Sequence, residues 1–407
     1  MKNAAIKSYL EILNEIEDTK PNNNLFLGNG FNLSLGISTD YKSIVAKMKE
    51  NNKEYITVLN DNTNIEWFIG ECTNKIKEGP QMKFLKLYIH NKIKLDFMKA
   101  VTQIVSLEIR KLRSEKNDGI YLFLRNFDSF FTLNYDPFLY QLLMTYKKDK
   151  KEKGVVFSNT LLEIKNMMDE ESKKLLEELK IGYDSGILTI NIDKNPEKFD
   201  LNKLSKAVFK TNMREYFKNK CSKSKIDKLV DHFWNEKDAI KRKYIDHIDD
   251  GFRLFDGKLA FQDVDIQNVF FLHGAFHIYS KGKSIYKITQ ESEKALYHKI
   301  EEVVENGTEN IICVFTDNNK LDEILQNEYL KSAYSKLHKM EGVLVIIGCS
   351  LDKNDAHIFS EINKSKITKI YYASSIDSIE KDYENLEKWF LEKEINLFDR
   401  NTISYNK

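Results

Sequence analysis

Four places in the 407-residue chain set small or polar residues directly after a short apolar run. The first is Leu25–Asn32, which ends in Gly28, Asn29, Gly30, Phe31 and Asn32, and the second is Thr132–Pro137, with Asn134 and Asp136. The third is Leu272–Ala275, with His273, and the fourth is Ile347–Leu351, with Gly348 and Ser350. Glycines let a backbone approach a ligand without a Cβ in the way, and a helix that opens at such a turn points free N–H groups at an anion. A histidine changes charge near neutral pH and can take a proton as a general base. Each place alone has a plainer reading. Glycine-rich turns also serve close packing, Asn134 and Asp136 suit an Asx turn or a helix cap, and His273 suits a satisfied core position. What sets them apart is their joint placement at strand ends, where open parallel sheets bind ligands.

The elements that carry them read as strands and helices in alternation. Asn24–Leu27, Phe130–Leu133, Val269–Leu272, Val343–Ile347 and Ile370–Ala373 are short apolar runs rich in β-branched or aromatic residues, with Ile311–Phe315 a candidate sixth. Between them the spacing turns helical: Ala5, Tyr9, Leu10, Leu13 and Ile16 form a lead-in helix closed by Pro21, and Tyr41, Ile44, Val45 and Met48 share one helical face. This predicts an α/β class, a Rossmann-like parallel sheet with helices on both faces. The rhythm breaks from 146 to 250, where Lys147–Lys153 opens a charged, mainly helical insertion with pieces at Leu161–Leu179 and Leu201–Trp234. Residues 1–145 and 251–407 are therefore expected to form the main domain. The lysine run reads as a solvated loop in preference to a phosphate-binding patch.

Bulk properties narrow the partners. Lys and Arg number 63 against 62 Asp and Glu, a net charge of +1, so direct wrapping of a nucleic-acid backbone is not expected. Cys72, Cys221, Cys313 and Cys349 form no CxxC pair, which argues against a zinc ribbon or a disulfide framework. The first twenty residues lack the apolar stretch of a signal peptide and no run approaches a membrane span, so a cytoplasmic protein is expected. Asp355 and His357 are distinctive, and with His277 they invite a metal reading. Without an HxxxH or HExxH spacing, a helix cap or an intersubunit contact is preferred and no metal is expected.

In their order the four places resemble the sirtuins. Gly28-Asn-Gly-Phe-Asn32 with Gly36-Ile37 is similar to the opening Gly-Ala-Gly-x-Ser and Gly-Ile, Leu133–Asp136 to Gln-Asn-Ile-Asp, His273-Gly274 to the catalytic His-Gly, and Gly348–Leu351 to Gly-Thr-Ser-Leu. The chain resembles more closely a bacterial family of sirtuin-like proteins with GNGF, NYD, Asp-Gly-Phe, HGA and GxSL…DxHI motifs, here Gly28–Phe31, Asn134–Asp136, Asp250–Phe252, His273–Ala275 and Gly348–Leu351 with Asp355, His357 and Ile358. Its opening is also similar to the abortive-infection H family of phage-resistance proteins. The cysteine pairs of the sirtuin zinc module are missing, and Gly36–Tyr41 departs from Gly-Ile-Pro-Asp-Phe-Arg, so acyl-lysine recognition is not expected.

The resemblance implies NAD as substrate, cleaved to nicotinamide and ADP-ribose by an abortive-infection effector. It implies Asn134 holding water or a ribose hydroxyl, His273 as base, and Asp136 beside the nicotinamide carboxamide. Gly28, Asn29, Gly30, Phe31 and Asn32 would bind the pyrophosphate side, and Gly348 and Ser350 the adenosine half. A homo-oligomer and a HerA-type ATPase or phage-derived trigger would suit that setting, with nucleic acid involved only indirectly. The alternatives are a module that senses NAD or ADP-ribose without cleaving it and an effector subunit that works with a HerA-type ATPase on nucleic acid.

Overall fold

The computed structural model describes residues 6–17, 22–59, 63–65, 68, 71–72, 79–114, 118–146, 174, 182–184, 187–190, 197–201, 203–218, 222–241, 245, 247–289, 296–305, 309–314 and 320–405. The strands, in chain order, are β1 (Asn23–Leu27), β2 (Ser129–Thr132), β3 (Gly182–Asp184), β4 (Ile187–Ile190), β5 (Glu197–Asp200), β6 (Phe252–Phe255) and β7 (Lys258–Phe261). They continue with β8 (Val269–Phe271), β9 (Gly274–Lys281), β10 (Ser284–Lys287), β11 (Asn310–Cys313), β12 (Glu341–Ile347), β13 (Lys366–Ser374) and β14 (Glu394–Asp399). The chain divides into two compact units: Met1–Thr145 with His247–Thr289 and Lys294–Lys407, and Tyr146–Asp246 with Gln290–Glu293.

The first unit is built on a six-stranded sheet in the order β14-β13-β12-β1-β2-β8, with every neighbouring pair parallel. The chain lays β1, β2 and β8 outward to one side, returns to the centre at β12, and continues outward through β13 and β14 on the other. That is the doubly wound order 3-2-1-4-5-6, whose direction reverses between β1 and β12. The strands are near-continuous apolar runs because both faces are covered. One face carries Phe26, Phe131, Phe270, Ile346, Tyr372 and Leu397 against Leu337, Ile358, Phe359 and Leu386 of the flanking helices. Phe398 points to the opposite face from Leu397 and joins an aromatic cluster of Tyr9, Phe123 and Tyr405. Polar ends are paired: the buried Asn24 amide donates to the carbonyls of Glu341 and Val343 at 2.8 and 2.9 Å, fixing β1 beside β12.

Beyond β8 only Leu272 and His273 intervene before β9, and the chain enters a five-stranded antiparallel sheet in the order β11-β9-β10-β7-β6. The β6–β7 hairpin turns at Asp256 and Gly257, both with positive φ (47° and 75°), the pairing that two-residue hairpins favour. Ile311 therefore belongs to this sheet through β9 rather than to the parallel one, and the sixth parallel strand is β14. The Asp-Gly-Phe motif is structural as well: Asp250 forms a 2.6 Å buried ion pair with Lys287, whose ammonium lies over the Tyr140 ring at 4.9 Å.

The second unit contains an antiparallel sheet, β3-β4-β5, which the expectation of a mainly helical insertion did not include. Its core joins Leu188, Ile190 and Phe199 of the sheet to Phe209, Met213, Leu229 and Phe233 of the helices Lys206–Tyr216 and Lys223–Lys241. The lysine run 147–153, Cys221, and all of 161–179 but Lys174 lie outside the described residues. Among the described residues no helix is long and apolar enough to cross a membrane.

Candidate functional site

The loops after β1 and β12 meet at the reversal of strand order, and glycines let them meet. A Cβ on Gly28 would stand 2.4 Å from the Gly348 carbonyl oxygen, and one on Gly30 2.6 Å from the Gly348 Cα. Gly348 has φ +72°, and a Cβ there would reach within 2.3 Å of the Phe31 nitrogen. The Gly28 N–H donates to the Ile347 carbonyl and the Gly30 N–H to that of Gly348, each at 2.9 Å. These two N–H groups are committed to loop-to-loop contact, so they do not form the expected phosphate cradle; the glycines line the pocket wall and let it close. Gly36, with φ +77°, ends the short helix Asn29–Ser34 in a left-handed residue, a structural reason for that glycine.

The same helix sorts its own residues. Phe31 is 1% exposed and stacks with Phe123 while touching Phe138 and Tyr405, so it is a core residue and not the ligand contact expected of it. Asn29 borders the pocket, but its amide donates to the Thr39 carbonyl at 2.7 Å and thereby pins the following loop. Asn32 is buried and belongs to a directed chain: Asn134 Nδ2 donates to Asn32 Oδ1 at 3.2 Å, and Asn32 Nδ2 donates to Asp136 Oδ2 at 2.8 Å. Asp136 Oδ1 accepts the Phe138 N–H at 2.9 Å, holding the start of the helix Phe138–Tyr146. Burial pushes the Asp136 carboxyl up to about 6, opposed by its hydrogen bonds from Phe138 and Asn32. An ionised carboxylate only accepts, so it dictates the direction of the whole chain and turns the Asn134 carbonyl oxygen outward as an acceptor.

His273 stands two residues beyond β8, in a turn that only glycine can follow: a Cβ on Gly274 would clash with the Ile312 carbonyl oxygen. The histidine is 2% exposed, and its carbonyl is held by the Val314 N–H at 2.9 Å. Its Nε2 is buried without a hydrogen-bond partner, 3.5 Å from Asp355 Oδ1. Burial first, then the charges of Lys320 and His357, hold its pKa well below the usual histidine range, so the ring is neutral at physiological pH. Lys320, 7% exposed, stands 3.4 Å from the same Asp355 oxygen.

A pocket of about 450 Å³ opens at these carboxyl ends, within the range of small-molecule sites. Gly28, Asn29, Gly30, Asn134, Asp136, His273, Gly348 and Ser350 line it, whereas Phe31 and Asn32 do not. Tyr41, Ile44, Phe97 and Val101 form an apolar wall from two helices, Tyr41–Asn51 and Pro80–Ser114, and Tyr135 stacks on Phe276 beside His273. Lys320 and Asp355 also line the pocket. Neither was expected there. Lys320 is a single lysine with no motif around it, and the signal at Asp355 was better explained by a helix cap or an intersubunit contact. No group of three His, Cys, Asp or Glu placed to hold a metal occurs among the described residues.

A family profile described as a domain of unknown function (DUF4917) matches residues 223–402. No curated protein matches the chain.

Proposed function

We propose that this pocket binds NAD and hydrolyses the bond between nicotinamide and ribose. The supporting observation is that Asn134, with an outward carbonyl oxygen, and a neutral His273 line one pocket at the switch point of a dinucleotide-type sheet. The resemblance to sirtuin-like proteins supplies the substrate.

The chemistry asks little of the protein. Nicotinamide leaves as a neutral molecule, taking the electron pair of the C1′–N bond, and water adds to the ribose carbon. The Asn134 oxygen accepts a hydrogen bond from that water or from a ribose hydroxyl. His273, neutral and therefore able to accept, takes the proton released as water attacks and returns it to solvent. Asp136 and Asn32 act as positioning residues, keeping the Asn134 amide turned the right way. The apolar wall of Tyr41, Ile44, Phe97 and Val101 excludes water from the remainder of the site. On the same resemblance the chain works in the cytoplasm as a homo-oligomeric abortive-infection effector, triggered by a phage product or a HerA-type ATPase.

Purified protein incubated with NAD is expected to release nicotinamide, and both Asn134→Ala and His273→Ala to abolish the release. Turnover that survives both substitutions would remove this site from the reaction. Tight NAD binding with no turnover under any trigger would make the chain a sensor instead.

A further inference from the structure

Asp355 occupies the N-cap position of the helix Ala356–Asn363, yet its side chain makes no capping hydrogen bond. The carboxylate turns into the pocket, where one oxygen lies 3.4 Å from Lys320 Nζ and 3.5 Å from His273 Nε2. Both contacts are longer than a charge-assisted hydrogen bond, about 2.7–2.9 Å. The oxygen lies between the two nitrogens, bonded to Lys320 alone, and a movement of under about 1 Å brings it within charge-assisted range of either. His273 Nε2 is buried and has no hydrogen-bond partner, so it gains from the transfer. Lys320 is the one Lys or Arg among the described residues that line the pocket, so it is the charge there that attracts an anionic group. Among the described residues, His357, with ring centres 5.8 Å apart, and Tyr135, at 6.0 Å, also face the His273 ring.

We propose that Lys320 and Asp355 form a substrate-operated switch on His273: a diphosphate ester in the pocket draws the Lys320 ammonium to itself and releases the Asp355 carboxylate to His273 Nε2–H. With the proton fixed on Nε2, the lone pair resides on Nδ1, and the carboxylate behind the ring raises its basicity. The empty site keeps its histidine a poor base, and the loaded site makes it a good one. The identity of the diphosphate as NAD rests on the reading above; the coupling of the three side chains does not. Lys320 and Asp355 are positioning residues in this scheme, because they act on the reaction through His273.

The test is the ring titration of His273 in the full chain, followed by histidine NMR and assigned among the eight histidines with His273→Gln. Wild type, Lys320→Met, Lys320→Arg and Asp355→Asn are compared with and without inorganic pyrophosphate. Lys320→Met is expected to titrate at higher pH than wild type with no ligand present, and Lys320→Arg to match wild type. Pyrophosphate is expected to move wild type upward and to leave Asp355→Asn where it was. An unmoved midpoint in Lys320→Met overturns the proposal, as does a pyrophosphate shift that survives Asp355→Asn or a wild type that binds no pyrophosphate. The readout needs no turnover. Coupled titration without nicotinamide release would leave the switch standing and refute the NAD hydrolase reading alone.

Discussion

Asp136 carries a stability cost whose pH dependence follows from its surroundings. Its carboxyl is 5% exposed and is pushed by burial from 3.8 up to about 6. A folded-state pKa above the unfolded value means that the native protein holds the proton more tightly. The group's favourable contribution is therefore complete below about pH 3.8 and lost as pH rises through about 6. The difference of about two pH units corresponds to about 3 kcal/mol at pH 7, falling to about 1.5 kcal/mol at pH 5. Asp136→Asn removes the titration. It also sets an amide N–H against the Asn32 amide, an offset that does not vary with pH in this window. Urea unfolding of both proteins from pH 7.5 to pH 5 reads the slope separately from the offset. The wild type should gain stability relative to the variant by about 1.3 kcal/mol between pH 7 and pH 5. A difference that stays flat across that range would refute the burial-driven shift.

Three other substitutions test the remaining geometry. Gly348→Ala combines a left-handed backbone costing about 1–2 kcal/mol with a clash against Gly30 and Phe31 costing about 1–3 more, and a melting temperature equal to wild type would show that the two loops can part freely. Asn32→Ala frees the Asn134 amide to rotate and should lower kcat/KM for NAD about 10–100-fold with the fold intact by circular dichroism; wild-type rates would remove Asn32 from the orienting chain. Lys287→Met leaves the Asp250 carboxylate buried without its 2.6 Å cation and should cost about 3–5 kcal/mol in urea unfolding, most of it recovered in Lys287→Met with Asp250→Leu; no recovery in the double variant would show that the loss is not the stranded charge.

Much of the parallel sheet was legible because buried strands announce themselves. β1, β12 and β13 each contain one of the five apolar runs read from the chain, and β2 and β8 each overlap one that extends a residue beyond the strand. β14 was not legible: at the sheet edge, Glu394, Ile395 and Asn396 keep some exposure, and the run loses its apolar continuity. Ile311 shows the opposite failure, since an apolar run says that a strand is buried and not which sheet it joins. The Asp256-Gly257 pair is a local hairpin signal, since both residues adopt positive φ between β6 and β7. Motif adjacency misled at Phe31. On a helix that begins at Asn29, successive residues diverge by about 100°, and Phe31 turns to the aromatic core while Gly30 faces the pocket. Lys320 is beyond any local pattern, because only the fold brings residue 320 beside 355 and 273.

The strand order also separates the span that the family profile matches from what can fold alone. Residues 223–402 contain β6 to β14 but neither β1 nor β2, which lie between β12 and β8 in the sheet. A fragment cut to that span would keep β12, β13 and β14 on one side and β8 alone on the other, and lose the two strands that join them. Two bare edges of Val, Ile, Leu and Phe would then be open to pairing with other chains, so the fragment should aggregate where the intact chain does not. The missing strands supplied on a separate peptide should rescue it.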